Sequence, residues 1–339
     1  MNKIFFALLL GVALLTACQN QDVEFSDYKY NAVYFAYQSP VRQIILGTDY
    51  VYDNSLDTAH QCMIYATMGG VYANKVNRIL DVAVDNSLCN NLTFESATGN
   101  KVLPMPSNYY TLPSPMQIVI PSGSMMGGIK VQLTDAFFAD TLSLKNTYVI
   151  PVKITKVQNA DSILEGKARV SNPNRFVSTD WEIMPKDYVL FAVKYKNAWD
   201  ATYLRRGIEV APDTTVVYHQ KYTEYDQVVS SVTTKSLSEL LISLNAKSKG
   251  NKNLPFQLLL KFDKLGNCSI TNPANVSSYA INGSGRYVKK VDSWGNEKRD
   301  VLYLKYNVSF GTSVHQLTDT LVMRDRSEKV ELFNPFYNK

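Results

Sequence analysis

Apolar residues recur along this chain in short runs with a period of two, and that alternation most narrows the folds open to it. A period of two puts successive side chains on opposite faces of an extended strand, whereas a helix needs recurrence near every 3.6 residues. Residues 61–67 and 77–85 alternate in this way. Residues 32–37 are rich in aromatic side chains, and 116–120, 128–133 and 147–155 are further runs rich in Val and Ile. Pro104, Pro106, Pro113, Pro115 and Pro121 interrupt the middle of this series. Each removes a backbone donor and fixes φ, so no long helix can cross it. The best helical stretch is residues 134–142. Strands this short at this spacing predict an antiparallel, immunoglobulin-like sandwich over residues 28–157.

A second series follows a stretch, residues 158–185, where apolar density falls and Asn, Asp, Ser and Pro accumulate; this reads as a linker. The runs 188–196, 201–210, 214–222, 227–234, 256–263, 268–271, 285–291, 301–310 and 318–324 are again strand-like, with turns at 197–200 and 264–267 and a short helix expected over 236–244. Eight or nine up-and-down strands suit a closed, lipocalin-like barrel over residues 186–339, because closure removes unpaired edges. The expected class is therefore all-β, a sandwich followed by a barrel, with Trp181 in the linker wedging the two units together.

The N-terminus carries a different signal. Lys3 precedes an apolar run over residues 4–15, followed by Leu15-Thr16-Ala17-Cys18. The run is shorter than the roughly 20 residues a helix needs to span a bilayer, so it reads as an export signal over residues 1–17. The register of Leu15, two small residues and Cys18 resembles the lipobox of bacterial lipoproteins. That resemblance implies lipid on the Cys18 thiol and attachment of the chain to a membrane surface, expected to be the outer membrane and its external face. Residues 18–27 are polar and aperiodic, as a tether should be.

Composition sets limits on partners and chemistry. A formal charge of +5, with Lys and Arg scattered among Asp and Glu, provides no basic stripe for phosphates, so nucleic acid is not an expected partner. Once Cys18 is set aside, Cys62, Cys89 and Cys268 remain. Cys62 and Cys89 are either a disulfide or two buried thiols. There is no CxxC spacing, and His60, His219 and His315 lie far apart, so no metal site is expected and no cofactor is implied. Asp49, Asp53 and Asp57 precede His60 without the glycine and terminal glutamate of a calcium loop, and read as a solvated acidic loop. No Gly-x-Ser-x-Gly elbow, His-Glu-x-x-His or phosphate loop is present. No catalytic residue is expected.

Several stretches carry a family resemblance: Leu103-Pro104, Asn108-Tyr109-Tyr110-Thr111-Leu112, residues 118–121 with Gly123, residues 131–135, and Tyr148-Val149-Ile150-Pro151-Val152-Lys153-Ile154. These resemble an N-terminal domain of unknown function common in Bacteroidetes lipoproteins and also found before the barrel of some endo-β-N-acetylglucosaminidases. Val193-Lys194-Tyr195, Trp199, Tyr203-Leu204-Arg205-Arg206-Gly207, Gly283-Ser284-Gly285 and Asp300-Val301-Leu302-Tyr303-Leu304-Lys305-Tyr306 resemble the lipocalin-like domain that often follows it. The resemblance implies a surface lipoprotein of a polysaccharide-utilisation system that captures oligo- or polysaccharide beside an outer-membrane glycan transporter. The alternatives are a structural or adhesion lipoprotein docking an outer-membrane protein and, third, a glycan-processing enzyme. Asp57-Thr58-Ala59, Asp140-Thr141-Leu142, Asp161-Ser162-Ile163, Asp213-Thr214-Thr215 and Asp319-Thr320-Leu321 also resemble the short O-glycosylation motif of that lineage.

A sugar is recognised by stacking of its apolar face on an aromatic ring, with charged or amide groups around its hydroxyls. The chain holds 22 Tyr, 14 Phe and 3 Trp. Trp199, in the turn 197–200, and Trp294, in the turn 292–296, are therefore candidate contacts, with Tyr203, Arg206 and Tyr287 beside them. The competing reading makes Trp199 a plug at one end of a barrel and Trp294 a packed hairpin tip. Tyr218, Tyr222 and Tyr225 read as cross-strand packing.

Overall fold

The computed structural model describes residues 25–219, 227–326 and 329–338. Cys18 and the rest of the lipobox, with Tyr222 and Tyr225, lie outside the described residues. The chain is almost wholly β. Two short α-helices occur among the described residues, Ser55–Thr58 and Asp135–Ala139, the second within the expected helical stretch. No helix among the described residues is long and apolar enough to cross a membrane.

The first unit is a sandwich-like sheet folded around one core. Its strands run in the order Ser162–Ile163, Ala32–Tyr34, Gln61–Gly69, Met126–Leu133, Gln117–Ile120, Arg78–Val84, Tyr148–Gln158, Tyr188–Lys196, Pro40–Ile45 and Glu331–Leu332. Alternation works as the sequence predicts: along Gln61–Gly69, Cys62, Ile64, Ala66 and Met68 turn into the core and the residues between them do not. Tyr148–Gln158 is central, and the other face of its neighbour Tyr188–Lys196 is covered by a second cluster that includes Leu88, Cys89, Phe94 and Phe333. Cys62, Cys89 and Cys268 are free, buried thiols, so the disulfide alternative does not hold.

Several features depart from expectation. Tyr188–Lys196, placed by the sequence pattern at the head of the second unit, is a full member of the first sheet, antiparallel to Tyr148–Gln158 and parallel to Pro40–Ile45. The first sheet thus continues to Lys196, and the linker stretch carries short strands at Ser162–Ile163, Lys167–Ala168 and Trp181–Ile183. Trp181 is buried in that small hairpin, its Nε1 donating to the Asn174 carbonyl at 2.7 Å. The helix expected over 236–244 is instead the strand Glu239–Lys247, where Leu240, Ile242, Leu244 and Ala246 alternate inward. Its ladder with Asn253–Phe262 outweighs the helical propensity of its leucines.

The second unit is one antiparallel sheet in the order Thr214–Tyr218, Thr202–Ala211, Ser313–Asp325, Glu297–Phe310, Ala280–Trp294, Asn267–Thr271, Asn253–Phe262, Glu239–Lys247 and Val232–Ser236. It curls around a core filled by Leu, Ile, Phe and Val side chains. The expected closed barrel is not formed. Thr202–Ala211 and Glu239–Lys247 share no backbone ladder, and the chain crosses between them through Val228–Val229, paired with one edge, and Val232–Ser236, paired with the other. Side chains bridge this open seam: Asn245 O accepts from Arg205 Nη1 at 3.5 Å and from Tyr218 Oη at 3.4 Å.

The two units are tied by named contacts. Arg326 is fully buried and its guanidinium donates to the carbonyls of Ala198 (2.8 Å), Leu46 (2.9 Å) and Asn197 (2.6 Å). The tail then returns to the first unit, where Glu331–Leu332 pairs with Pro40 and Val41 and Pro335–Tyr337 pairs with Leu92–Phe94.

Candidate functional site

Along Thr202–Ala211 the odd-numbered side chains Tyr203, Arg205 and Glu209 face inward, with Gly207 between them. Two of these are charged, so their burial requires partners. Arg205 Nε donates to Asp319 Oδ1 at 2.8 Å, and Tyr306 Oη donates to Asp319 Oδ2 at 2.6 Å. Burial by itself would lower the Arg205 pKa; the Asp319 carboxylate outweighs it and holds the guanidinium charged. Glu209 accepts from the Lys247 backbone N–H at 2.9 Å and from Tyr218 Oη at 2.5 Å, and its Oε1 lies 2.6 Å from His315 Nδ1. Burial and the bond to Glu209 raise the Tyr218 pKa, which keeps its hydroxyl protonated as a donor. Asp57 and Asp319, two of the aspartates in the motifs resembling O-glycosylation sites, are therefore buried structural anchors: Asp57 pairs with Arg42 and accepts from Ile45 N at 2.9 Å.

Where the sheet stays open, these residues border a cleft of about 550 Å³. Its lining is mainly polar, with Arg205, Tyr218, Gln227, Asn245, Lys247 and Asn253 supplying side chains. Gln227 is 3% exposed and Arg205 5% exposed. Among the described residues, neither the Oε1 nor the Nε2 of Gln227 has a hydrogen-bond partner, and neither does Arg205 Nη2. Leaving a buried polar atom unpaired costs about 1–3 kcal/mol, so these three atoms on one cleft wall favour a partner from solvent or a ligand. The remaining Arg205 surface is engaged, its guanidinium lying 3.7 Å from the Tyr218 ring centroid. Lys247 Nζ donates to Asn253 Oδ1 at 2.7 Å. The charges around the cleft are thus already paired or hydrogen-bonded, and what it offers is a donor–acceptor array.

The residues singled out by the sequence pattern fall into two groups, neither at this cleft. Trp199 is half-buried at one end of the second core, stacked on Phe262 with centroids 3.8 Å apart and planes 9° apart, with Tyr287 edge-on at 6.3 Å. Tyr203 is fully buried and donates to the Trp199 carbonyl at 2.5 Å. Tyr287 donates to Asp300, whose backbone N–H in turn donates to Tyr50 Oη of the first unit at 3.0 Å. Arg299 lies over the same Tyr50 ring at 4.4 Å. These three aromatics plug the end of the core against the first unit, the packing alternative. Arg206 and Trp294 lie on the outer face instead: Arg206 is ion-paired with Asp292, and Trp294 packs on Leu204, Val301 and Val322.

Strand parity was the signal that could have found Arg205. If Tyr203 points inward, so must Arg205, while its neighbour Arg206 points outward. Gln227 had no such signal, since it precedes a strand of only two residues. The order Ser313, His315, Glu209, with Ser313 Oγ 3.1 Å from His315 Nε2, is that of a serine-hydrolase relay. Ser313 is not among the cleft's lining residues, so a ligand seated there is not brought to its hydroxyl. Among the described residues no cluster of His, Cys, Asp and Glu could hold a metal ion.

Comparison with known proteins finds two family models along the chain. An N-terminal domain family model matches residues 28–161, and a domain of unknown function, DUF5627, matches residues 198–327. No curated protein matches the chain. A crystal structure from Bacteroides ovatus, of unknown function, is 39% identical, superposes with a TM-score of 0.82, and is covered over 100% of its length by 92% of this chain. At that identity and coverage, the chain belongs to the same family as this Bacteroides ovatus protein.

Proposed function

We propose that this protein is a lipid-anchored envelope lipoprotein that binds glycan without cleaving it, and that the seam cleft is where the glycan sits. The observation that carries this reading is the pair of unpartnered amide atoms on Gln227 beside the free Nη2 of Arg205. A carboxamide presents one donor and one acceptor side by side, which matches two neighbouring sugar hydroxyls. The Asn and Ser side chains around it extend the same chemistry, and the paired state of the nearby charges favours a neutral ligand over an ionic one.

Acylation of Cys18 attaches the chain to the outer membrane, facing outward. Confinement near a glycan transporter lets a weakly binding site work at high local concentration. The lipobox-like register of Leu15-Thr16-Ala17-Cys18 supports the anchor, and the absence of a catalytic motif in the sequence supports a binding role.

The test is a glycan array probed with the full chain in detergent, alongside Gln227→Ala. Binding of a neutral oligosaccharide that Gln227→Ala abolishes is the expected result. An array without any bound glycan, together with recovery of one outer-membrane protein whether or not glycan is added, would replace this reading with a structural docking role. The anchor is checked separately, by mass spectrometry of the N-terminal peptide and its unmodified mass in Cys18→Ala.

A further inference from the structure

A second feature lies at the edge of the first sheet, where Ala32–Tyr34 runs between Gln61–Gly69 and Ser162–Ile163. Tyr28, Tyr30 and Tyr34, with Leu164 and Lys186, enclose a groove of about 270 Å³. Tyr28 is 82% exposed and Tyr30 is 62% exposed, although each carries a large apolar ring. Exposed aromatics are often only mobile surface side chains, but here the backbone beneath them is pinned. Tyr28 N donates to Gly70 O at 3.0 Å. Asn31 donates to Asp161 Oδ2 from both its backbone N (2.8 Å) and its Nδ2 (2.7 Å), and accepts from Arg78 Nη1 at 2.9 Å.

The floor of the groove is bare backbone. Gly70 has φ +96°, and a Cβ there would come within 2.4 Å of the Tyr30 carbonyl oxygen, so only glycine fits beneath the rings. Lys186 Nζ lies over the Tyr34 ring, 5.6 Å from its centroid, so an ammonium donor borders the groove. With the backbone beneath them fixed, a ligand lying on these rings has only side-chain rotamers left to order.

We propose that this groove is a second saccharide site, in which pyranose rings stack on Tyr30 and Tyr34 and a sugar hydroxyl accepts from Lys186. The proposal takes its ligand class from the glycan-binding reading above but uses none of the seam cleft's residues. A saccharide suits the groove better than a protein partner: its volume is that of a small ligand, and its walls mix aromatic faces with phenol and ammonium tips, where a protein interface would bury about 800 Å² per partner.

Titration calorimetry of the full chain in detergent with maltohexaose, cellohexaose, xylohexaose and chitohexaose tests it. One of these should bind at two sites per chain. Tyr30→Ala and Tyr34→Ala should each weaken one of the two by about tenfold and leave the other unchanged, while Tyr30→Phe, which keeps the ring, should behave as wild type. Gln227→Ala should remove only the other site. A single site abolished by Gln227→Ala and untouched by Tyr30→Ala overturns the groove while sparing the cleft; loss with Tyr30→Ala alone spares the groove and overturns the cleft. Binding of no hexaose overturns both. If sedimentation shows that Tyr30→Ala dissolves a dimer without changing any hexaose affinity, the groove is an interface between copies and the proposal falls.

Discussion

Arg205 Nε donates to Asp319 Oδ1 at 2.8 Å deep in the second unit, while Nη2 of the same guanidinium has no partner among the described residues on the wall of the open seam. One side chain therefore has a structural end and an unengaged end, and substitutions around it should separate stability from binding.

Arg205→Ala strands the Asp319 carboxylate inside the core. We expect a loss of about 3–5 kcal/mol in urea unfolding, the usual cost of breaking a buried pair from one side. Gln227→Ala removes polar atoms without a hydrogen-bond partner among the described residues and should change stability by less than about 1 kcal/mol. Equal losses for the two would show that Gln227 is a structural residue after all.

Trp199→Ala should behave in the opposite way. It removes a ring stacked 3.8 Å from Phe262 and leaves a cavity at the end of the core, at about 3–5 kcal/mol. Oligosaccharide affinity of the folded protein should be unchanged. Lost affinity with unaltered unfolding would return the binding site to this tryptophan.

Arg326→Met keeps the length of the side chain but leaves the carbonyls of Leu46, Asn197 and Ala198 without their donor. Because these bonds join the two units, calorimetry should show one transition splitting into two, with a total loss of about 3–5 kcal/mol. An unsplit, unshifted transition would mean that the interface does not depend on Arg326.

Burial raises the Cys62, Cys89 and Cys268 thiols from an ordinary 9.0 to about 12. A raised folded-state value means the neutral thiol is the form the fold favours. Its contribution is fully present below about pH 9 and is lost as pH rises from there through about 12. Native protein at pH 8 should resist iodoacetamide and take up label at all three sites only when denatured. Rapid native labelling of Cys62 would contradict its burial.

Much of the fold was legible because alternation survives in the sequence wherever one face of a strand is buried. Gln61–Gly69 and Arg78–Val84 match their expected runs almost residue for residue. The failures have a common physical cause, the dependence of β structure on partners distant in sequence. Glu239–Lys247 looks helical until Asn253–Phe262 is laid beside it, and Tyr188–Lys196 reads as the start of a unit because its partner Pro40–Ile45 lies far upstream. Of the five aromatic and charged residues singled out for binding, three seal the end of a core and two pack on its outer face. Strand parity alone places Arg205 on the inner face beside Tyr203, where the turn aromatics carry no such signal.

The tail that returns to pair Glu331–Leu332 with Pro40 and Val41 makes the second unit an insertion within the first. A chain delivered from its N-terminus can complete the inserted sheet while the outer one still lacks its last edge strand and the Phe333 side chain that covers Phe94. The order of completion is thereby reversed relative to the order of the sequence: the unit that begins first is the last to close. Truncation at the C-terminus should accordingly damage the first unit, some three hundred residues upstream, before it damages the second.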